Sequence, residues 1–267
     1  MRTLGDYHIH TNLSNCGHSS ATPEAYAALA AGEGIIDIGF SNHMWDEKIP
    51  GASSWYSNQT VAHVLSIRDE LPADTLAAWG VRVHVGCEID IDKHFTVGMA
   101  SDTRALFDYV LIATSHLHMK DFTIDRDVTS LPEIRSILLR RVDAALNARV
   151  ADGIAHPFGV LGFYDRQDEL LGGFTDNELI GTFRSIADAG VSVELNAVAI
   201  LDNPGSTDAD GFSVEDKRLF TLARECGCRF HLGTDAHRPA AFCRHKELLA
   251  FADACGIHEF AALEHRR

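Results

Sequence analysis

Long apolar runs are missing from this chain. None of its 267 residues falls in a stretch near the roughly 18 apolar residues that a membrane span requires. The opening MRTLGDYHIHT lacks the apolar centre of a secretion signal and reads as the start of a strand, so a soluble, cytoplasmic protein is expected. Polar linkers, low-complexity tracts and fixed-period repeats are also missing, which favours one domain over 1–267. Cysteine is sparse: Cys16, Cys87, Cys226, Cys228, Cys243 and Cys255 show no zinc-finger spacing, and reduced thiols suit them better than a disulfide framework. Positive charge is short as well. Acids outnumber Lys plus Arg by 38 to 23, a net charge of −15. Such a body repels a nucleic-acid backbone and points to a small substrate drawn to a locally positive site.

Histidine is what the chain has in excess, with fifteen residues. β-rich runs near 4–9, 36–41, 81–88, 108–115, 152–156, 191–196 and 229–234 alternate with helical patterns. Thr22-Pro23-Glu24 before AYAALAA reads as an N-cap, a proline at the first helical position and an Ala-rich helix. Further helices are expected over 131–150, 176–189, 213–225 and 239–255. Strand–helix alternation implies parallel strands joined by helical crossovers.

A polar residue suited to metal binding stands at nearly every strand end: His8 and His10, His43, Glu88, His116, His156, and Asp235 with His237, while Asn196 ends the sixth. Chemistry gathered from many strand ends is the habit of a β/α barrel, whereas an open sheet uses its switch point. An irregular barrel of seven strands is therefore expected. His8 and His10 share a face of their strand, and Asp235-x-His237 repeats that spacing on the last strand. Barrel closure would make the two pairs neighbours. Imidazole nitrogen with few carboxylates suits Zn, Fe or Mn, not Ca or Mg. So many donors suit two or three divalent transition metals, with Glu88 bridging. With only two carboxylates the site stays positive and favours an anion such as a phosphate monoester. The metals would stabilise its transition state and supply a hydroxide nucleophile.

These motifs, DYHIHT, GFSNH, GCEID, TSH, AHP and GTDAH in that order between Asp6 and Pro239, resemble the PHP (polymerase and histidinol phosphatase) family, and within it bacterial histidinol-phosphatases. The resemblance implies an irregular (β/α)7 barrel and nine ligands for three metals: His8, His10, His18, His43, Glu88, His116, His156, Asp235 and His237. His18, in NCGHSSATPEAY, enters the set through the resemblance alone. In the implied scheme His8, His10, Glu88 and Asp235 hold one ion. Glu88 bridges to a second held by His116 and His156, and His18, His43 and His237 hold the third. The chain departs from those enzymes after strand six. Asn196-Ala197-Val198-Ala199-Ile200-Leu201 lacks their phosphate-holding arginine. Arg238, Arg166 and Arg126 are the candidate replacements, with Lys120 also near strand four and His118 as a further substrate contact.

Other polar residues read as structural. His84 and His231 point into the barrel below the metals, Arg82 and Glu194 are expected to pair at its bottom, and His63, His94, His245, His258 and His265 read as ordinary helix or loop residues. The loops 44–58 and 117–130 are lid candidates. Besides a small-monoester phosphatase, three readings stand: a phosphodiesterase or 3′–5′ exonuclease of the PHP type, an amidohydrolase-like C–N hydrolase, and a PHP domain without catalysis. The acidic charge weighs against the first, the Asp-x-His pair against the second, and the complete ligand set against the third.

Overall fold

The computed structural model describes residues 4–71, 73–159, 161–202 and 205–263. Nine strands form one curled, all-parallel sheet: β1 (Gly5–Ile9), β2 (Asp37–Phe40), β3 (His43–Met44), β4 (Arg82–Val85), β5 (Cys87–Ile89), β6 (Val110–Ala113), β7 (Gly153–Ala155), β8 (Ser192–Asn196) and β9 (Arg229–Gly233). Their order is β3-β5-β6-β7-β8-β9-β1-β2-β4. β1 pairs with both β2 and β9, so the first and last strands are neighbours. Most strands are buried throughout and apolar-rich, as expected where a parallel sheet is covered on both faces.

The count of nine corrects the expected seven, and the reason is local. Two of the expected strands are each interrupted, the second at Ser41-Asn42 and the third at Gly86. Register passes through both breaks unchanged: β2 pairs β4 and β3 pairs β5 with the same offset of 45 residues. Asn42 bends inward to accept a hydrogen bond from Thr11 N–H (2.7 Å) and to donate one to Thr11 Oγ1 (2.8 Å). Gly86 is required by close approach, since a Cβ there would lie 2.5 Å from the Tyr109 ring.

The helices are α1 (Pro23–Glu33), α2 (Val61–Leu65), α3 (Ala73–Trp79), α4 (Leu131–Ala148), α5 (Gln167–Gly172), α6 (Asp176–Ala189), α7 (Ala197–Leu201), α8 (Val214–Glu225) and α9 (His245–Ala254). The Thr22 side chain accepts from Ala25 N–H at the start of α1, with Pro23 following it. α6 opens with a capping box between Thr175 and Glu178. Leu131, Ile134, Leu138, Val142 and Ala145 of α4 are buried at helical spacing. α2, α3, α5 and α7 were not expected, being five to seven residues long and too short to show a period. α9 starts later than 239 because residues 239–241 form a separate 3-10 turn. None of the described helices is long and apolar enough to cross a membrane.

Candidate metal centre

The strand ends converge on Glu88, which is fully buried. Its Oε2 lies 3.3 Å from His8 Nε2, 3.5 Å from His10 Nε2 and 3.0 Å from His43 Nδ1. Its Oε1 lies 2.9 Å from His156 Nε2 and 3.5 Å from His116 Nε2. Asp235 Oδ1 completes the cluster at 3.2 Å from His10 Nε2 and 3.5 Å from His8 Nε2. Asp235 and His156 hold positive φ angles of 53° and 31°, strained values for side chains with a Cβ that recur where a chain is bent to serve a site.

Four overlapping donor groups result: His8–Glu88–His156, His8–His10–Asp235, His43–Glu88–His116, and His10–Cys16–His43–His237, each with its ligand atoms within 4.8 Å of one another. Eight of the nine expected ligands are thereby brought together. Divalent metals fit this donor set chemically. His43 Nδ1 and Glu88 Oε2 are buried without hydrogen-bond partners, an expensive arrangement unless a cation takes their lone pairs.

Hydrogen bonds on the far side of the rings fix which nitrogen faces inward. His8 Nδ1 donates to Glu194 Oε1 (2.7 Å), His116 Nδ1 to Asp90 Oδ2 (2.8 Å) and His237 Nδ1 to the Asp235 carbonyl (2.8 Å). Ser115 Oγ donates its proton to the His156 carbonyl, so the hydroxyl oxygen accepts from His156 Nδ1 at 2.8 Å. Each of these four rings therefore keeps a lone pair on Nε2, the form a metal requires. His18 is the exception. It is exposed, outside the four groups, and its Nδ1 accepts from Ser20 N–H (3.1 Å), with Ser20 Oγ at 2.8 Å. It stays beside the cluster through its backbone N–H, bonded to the His237 carbonyl. Cys16 is the member of its loop that reaches the fourth group.

The electrostatics follow from burial and neighbours. Burial alone would raise Glu88 and Asp235, but the surrounding imidazoles, led by His43 for Glu88 and by His8 for Asp235, hold both well below the usual carboxylate range. Burial, aided by the His237 charge, pushes His10 down to about 4. Burial would lower His8 too, yet Glu194, Asp235 and Glu88 together raise it well above 6.5.

Two cavities open onto the cluster and share Cys16, Val198, Asp235 and His237 as a common wall. The first, about 630 Å³, is lined also by Trp55, His118, Met119, Lys120, Phe122, Leu161 and Tyr164. The second, about 770 Å³, carries His18, Asp202, Arg238 and Arg244. His118 thus stands on the first cavity and Arg238 on the second. Arg126 and Arg166 do not line either: exposed carboxylates of Asp121 and Glu169 hold them in ion pairs. The two lid candidates supply walls, residues 53–55 from one and 118–120 with Phe122 from the other.

Several other expectations need correcting. Glu194 does not pair with Arg82. It supports His8 and accepts from His156 N–H, while Arg82 is bonded to Asp37 at the far end of the sheet. His84 also meets Asp37, and His231 meets Ser192, both structural contacts. His245 is not an ordinary helix residue; it is buried against Asp6. His265 lies outside the described residues. Sequence reasoning missed Asp90 and Arg141. Asp90 shares strand parity with Glu88, a usable signal, whereas Arg141 stood unmarked on the apolar face of α4. Its buried guanidinium bonds Asp90 and the carbonyls of Thr114 and Ile91.

Comparison with known proteins agrees with this geometry. A curated Deinococcus radiodurans protein named "Probable histidinol-phosphatase" is 25% identical over 255 residues, 90% of this chain and 88% of that one. The structure of histidinol phosphate phosphatase from Lactococcus lactis, complexed with zinc, L-histidinol and phosphate, superposes with a TM-score of 0.62 at 18% identity, covering 99% of this chain and 98% of that one. A Listeria monocytogenes structure named for the same activity has a TM-score of 0.62 at 15% identity, with 91% and 98% covered. The PHP domain model matches residues 6–198, most of the sequence, and on that match the chain belongs to the PHP domain family.

Proposed function

We propose that this chain is a metal-dependent phosphoesterase that hydrolyses a small phosphomonoester at a three-metal centre. The observation that carries the reading is Glu88, both of whose oxygens face imidazole nitrogens at 2.9–3.5 Å inside a ring of strand ends. His8, His10, Glu88 and Asp235 would hold one ion, His116 and His156 with Glu88 a second, and His43 and His237 a third. His18 is proposed as the ninth ligand. Zn, Fe or Mn suits this set. Bound ions supply Lewis acidity and a hydroxide nucleophile at neutral pH. The protein's own part is to fix the rings through Glu194, Asp90 and Ser115, and to offer the substrate a wall at the shared edge of the two cavities.

The sheet supports the same reading. We take the common offset across β2/β4 and β3/β5 as closure of a (β/α)7 barrel in a single domain, because β1 neighbours β9 and the edge strands β3 and β4 are continuous with the inner strands β2 and β5. Asp235 and His237 lie beyond the matched residues 6–198 but join the site through this closure. Histidinol phosphate is the substrate suggested by the relatives' names, and small phosphomonoesters as a class are what the centre supports.

The test is turnover of the metal-analysed protein on histidinol phosphate, sugar phosphates, nucleotides and a diester. Release of phosphate from monoesters is expected. Glu88→Ala and Asp235→Ala should each lose turnover by about 10²-fold or more while keeping the wild-type circular dichroism. Full turnover in either variant would sink the metal mechanism.

A further inference from the structure

The cavity bearing Trp55 differs from the metal cluster beside it in both charge and surface. Of the described residues lining it, Asp235 alone is a carboxylate, and Asp235 belongs to the donor groups; Lys120 is the one ammonium among them. Lys120 Nζ sits 4.3 Å above the Phe163 ring, and among the described residues no carboxylate pairs with it. Its pKa is lowered by desolvation alone. Of the other charged candidates near the centre, Arg126 is committed to Asp121, Arg166 to Glu169 and Arg244 to Asp202, while Arg238 lines the second cavity and not this one.

Outside the donor cluster the remaining wall is mostly apolar, with Ser53, Ser54 and His118 as its polar members. Trp55 meets the His43 ring edge-on, with centroids 4.9 Å apart, so an indole stands directly beside the donor cluster. Tyr164 lines the same cavity and is one of four exposed large hydrophobic side chains among the described residues. An aromatic face left open at the mouth of a functional cavity marks a surface that a ligand covers.

We infer that this cavity is a subsite for the organic part of the substrate, selecting a flat, uncharged or anionic group over one that carries an ammonium, with Lys120 as the specificity-determining residue. The inference rests on the phosphoesterase reading of the metal centre. A substrate ammonium would find no free carboxylate here and would be repelled by Lys120. A flat neutral ring would stack on Trp55 and Tyr164, and a second anionic group would meet Lys120. The absence of an arginine after β8 fits the same preference, because the stretch 196–201 presents Val198 to the cavity and no cation.

The experiment uses full-length, metal-loaded protein and titration calorimetry with three non-hydrolysable probes: methylphosphonate, benzylphosphonate and benzylphosphonate bearing a para-aminomethyl group. Benzylphosphonate is expected to bind about tenfold or more tightly than either of the others. Lys120→Glu should shrink the ratio between the two ring-bearing probes by about tenfold, with Lys120→Met intermediate. Trp55→Ala should remove the advantage of benzylphosphonate over methylphosphonate. Equal or tighter binding of the aminomethyl probe to the wild type would overturn the inference, as would an unchanged ratio in both Lys120 variants. Because the probes report binding without turnover, the two readings fail separately. Intact discrimination with no hydrolysis of any monoester would remove the phosphoesterase reading and leave the subsite in place.

Discussion

Glu194 shows how much of this centre is built by residues that would touch no metal. Its carboxylate receives His8 Nδ1–H on one oxygen and the His156 backbone N–H on the other, so one side chain orients one ring and anchors the backbone that carries another. It fits because Gly233 leaves room: a Cβ at that position would lie 1.8 Å from Glu194 Oε1. Glu194→Gln is expected to weaken metal binding by about 10–100-fold with little change in fold, as loss of a partner behind a ligand ring generally does. Competition against a chelating dye measures this, and unchanged affinity would show that His8 is held by other means. The charge on Glu194 was visible in the sequence at inward parity. Its partner was not, because parity gives a direction along the strand normal and no depth in the barrel. Strand-end position found His8, His10, His43, Glu88, His116, His156, Asp235 and His237 because regular strands fix their geometry. Cys16 and His18 escaped that logic, since a loop has no period from which to read a direction.

Among the elements, α4 does more than cover the sheet. Arg141 is fully buried on it and donates to Asp90, which in turn holds His116. One helix is thus tied to the ends of β5 and β6 through a charged pair with all-protein partners. Arg141→Ala would leave the Asp90 carboxylate and several carbonyls unpaired in the interior. A loss of roughly 3–5 kcal/mol in denaturant unfolding is expected, the usual cost of breaking a buried pair. A loss below 1 kcal/mol would mean that water replaces the guanidinium. At the opposite end, Asp37 joins β2 to β4 through Arg82 and His84. Burial works against its ionised form, but these partners outweigh it and hold the carboxyl below 3.8. A folded pKa below the unfolded one gives stability that is complete above about pH 4 and lost as pH falls through the folded value. Asp37→Asn should therefore flatten the acid limb of the stability curve, measured by thermal unfolding from pH 5 downward. Helices with long apolar faces, such as α4 and α6, were legible in advance. The interruptions that turn seven strands into nine were not, because Asn42 turns inward for Thr11, a partner 31 residues away.

For the molecule as a whole, the proposed ligand side chains come from six separate strands or strand ends, so the sheet and bound metals would stabilise each other. Ions that bind only the folded state add about 4 kcal/mol per site at a thousandfold excess over Kd. Chelation is expected to lower the melting temperature markedly, with recovery on adding back Zn, Mn or Fe. A melting temperature indifferent to chelator would argue against occupied sites. The net charge of −15 sets a further expectation: retention on a polyanion column should be absent even at low salt. The arrangement of the two cavities also bears on turnover itself. They meet only at Cys16, Val198, Asp235 and His237, so a bond broken at that wall frees its two halves into different rooms. Neither product then has to wait for the other to leave. Were the substrate to span that wall, release would follow no fixed order, and inorganic phosphate and the alcohol could occupy the enzyme together as a ternary product complex.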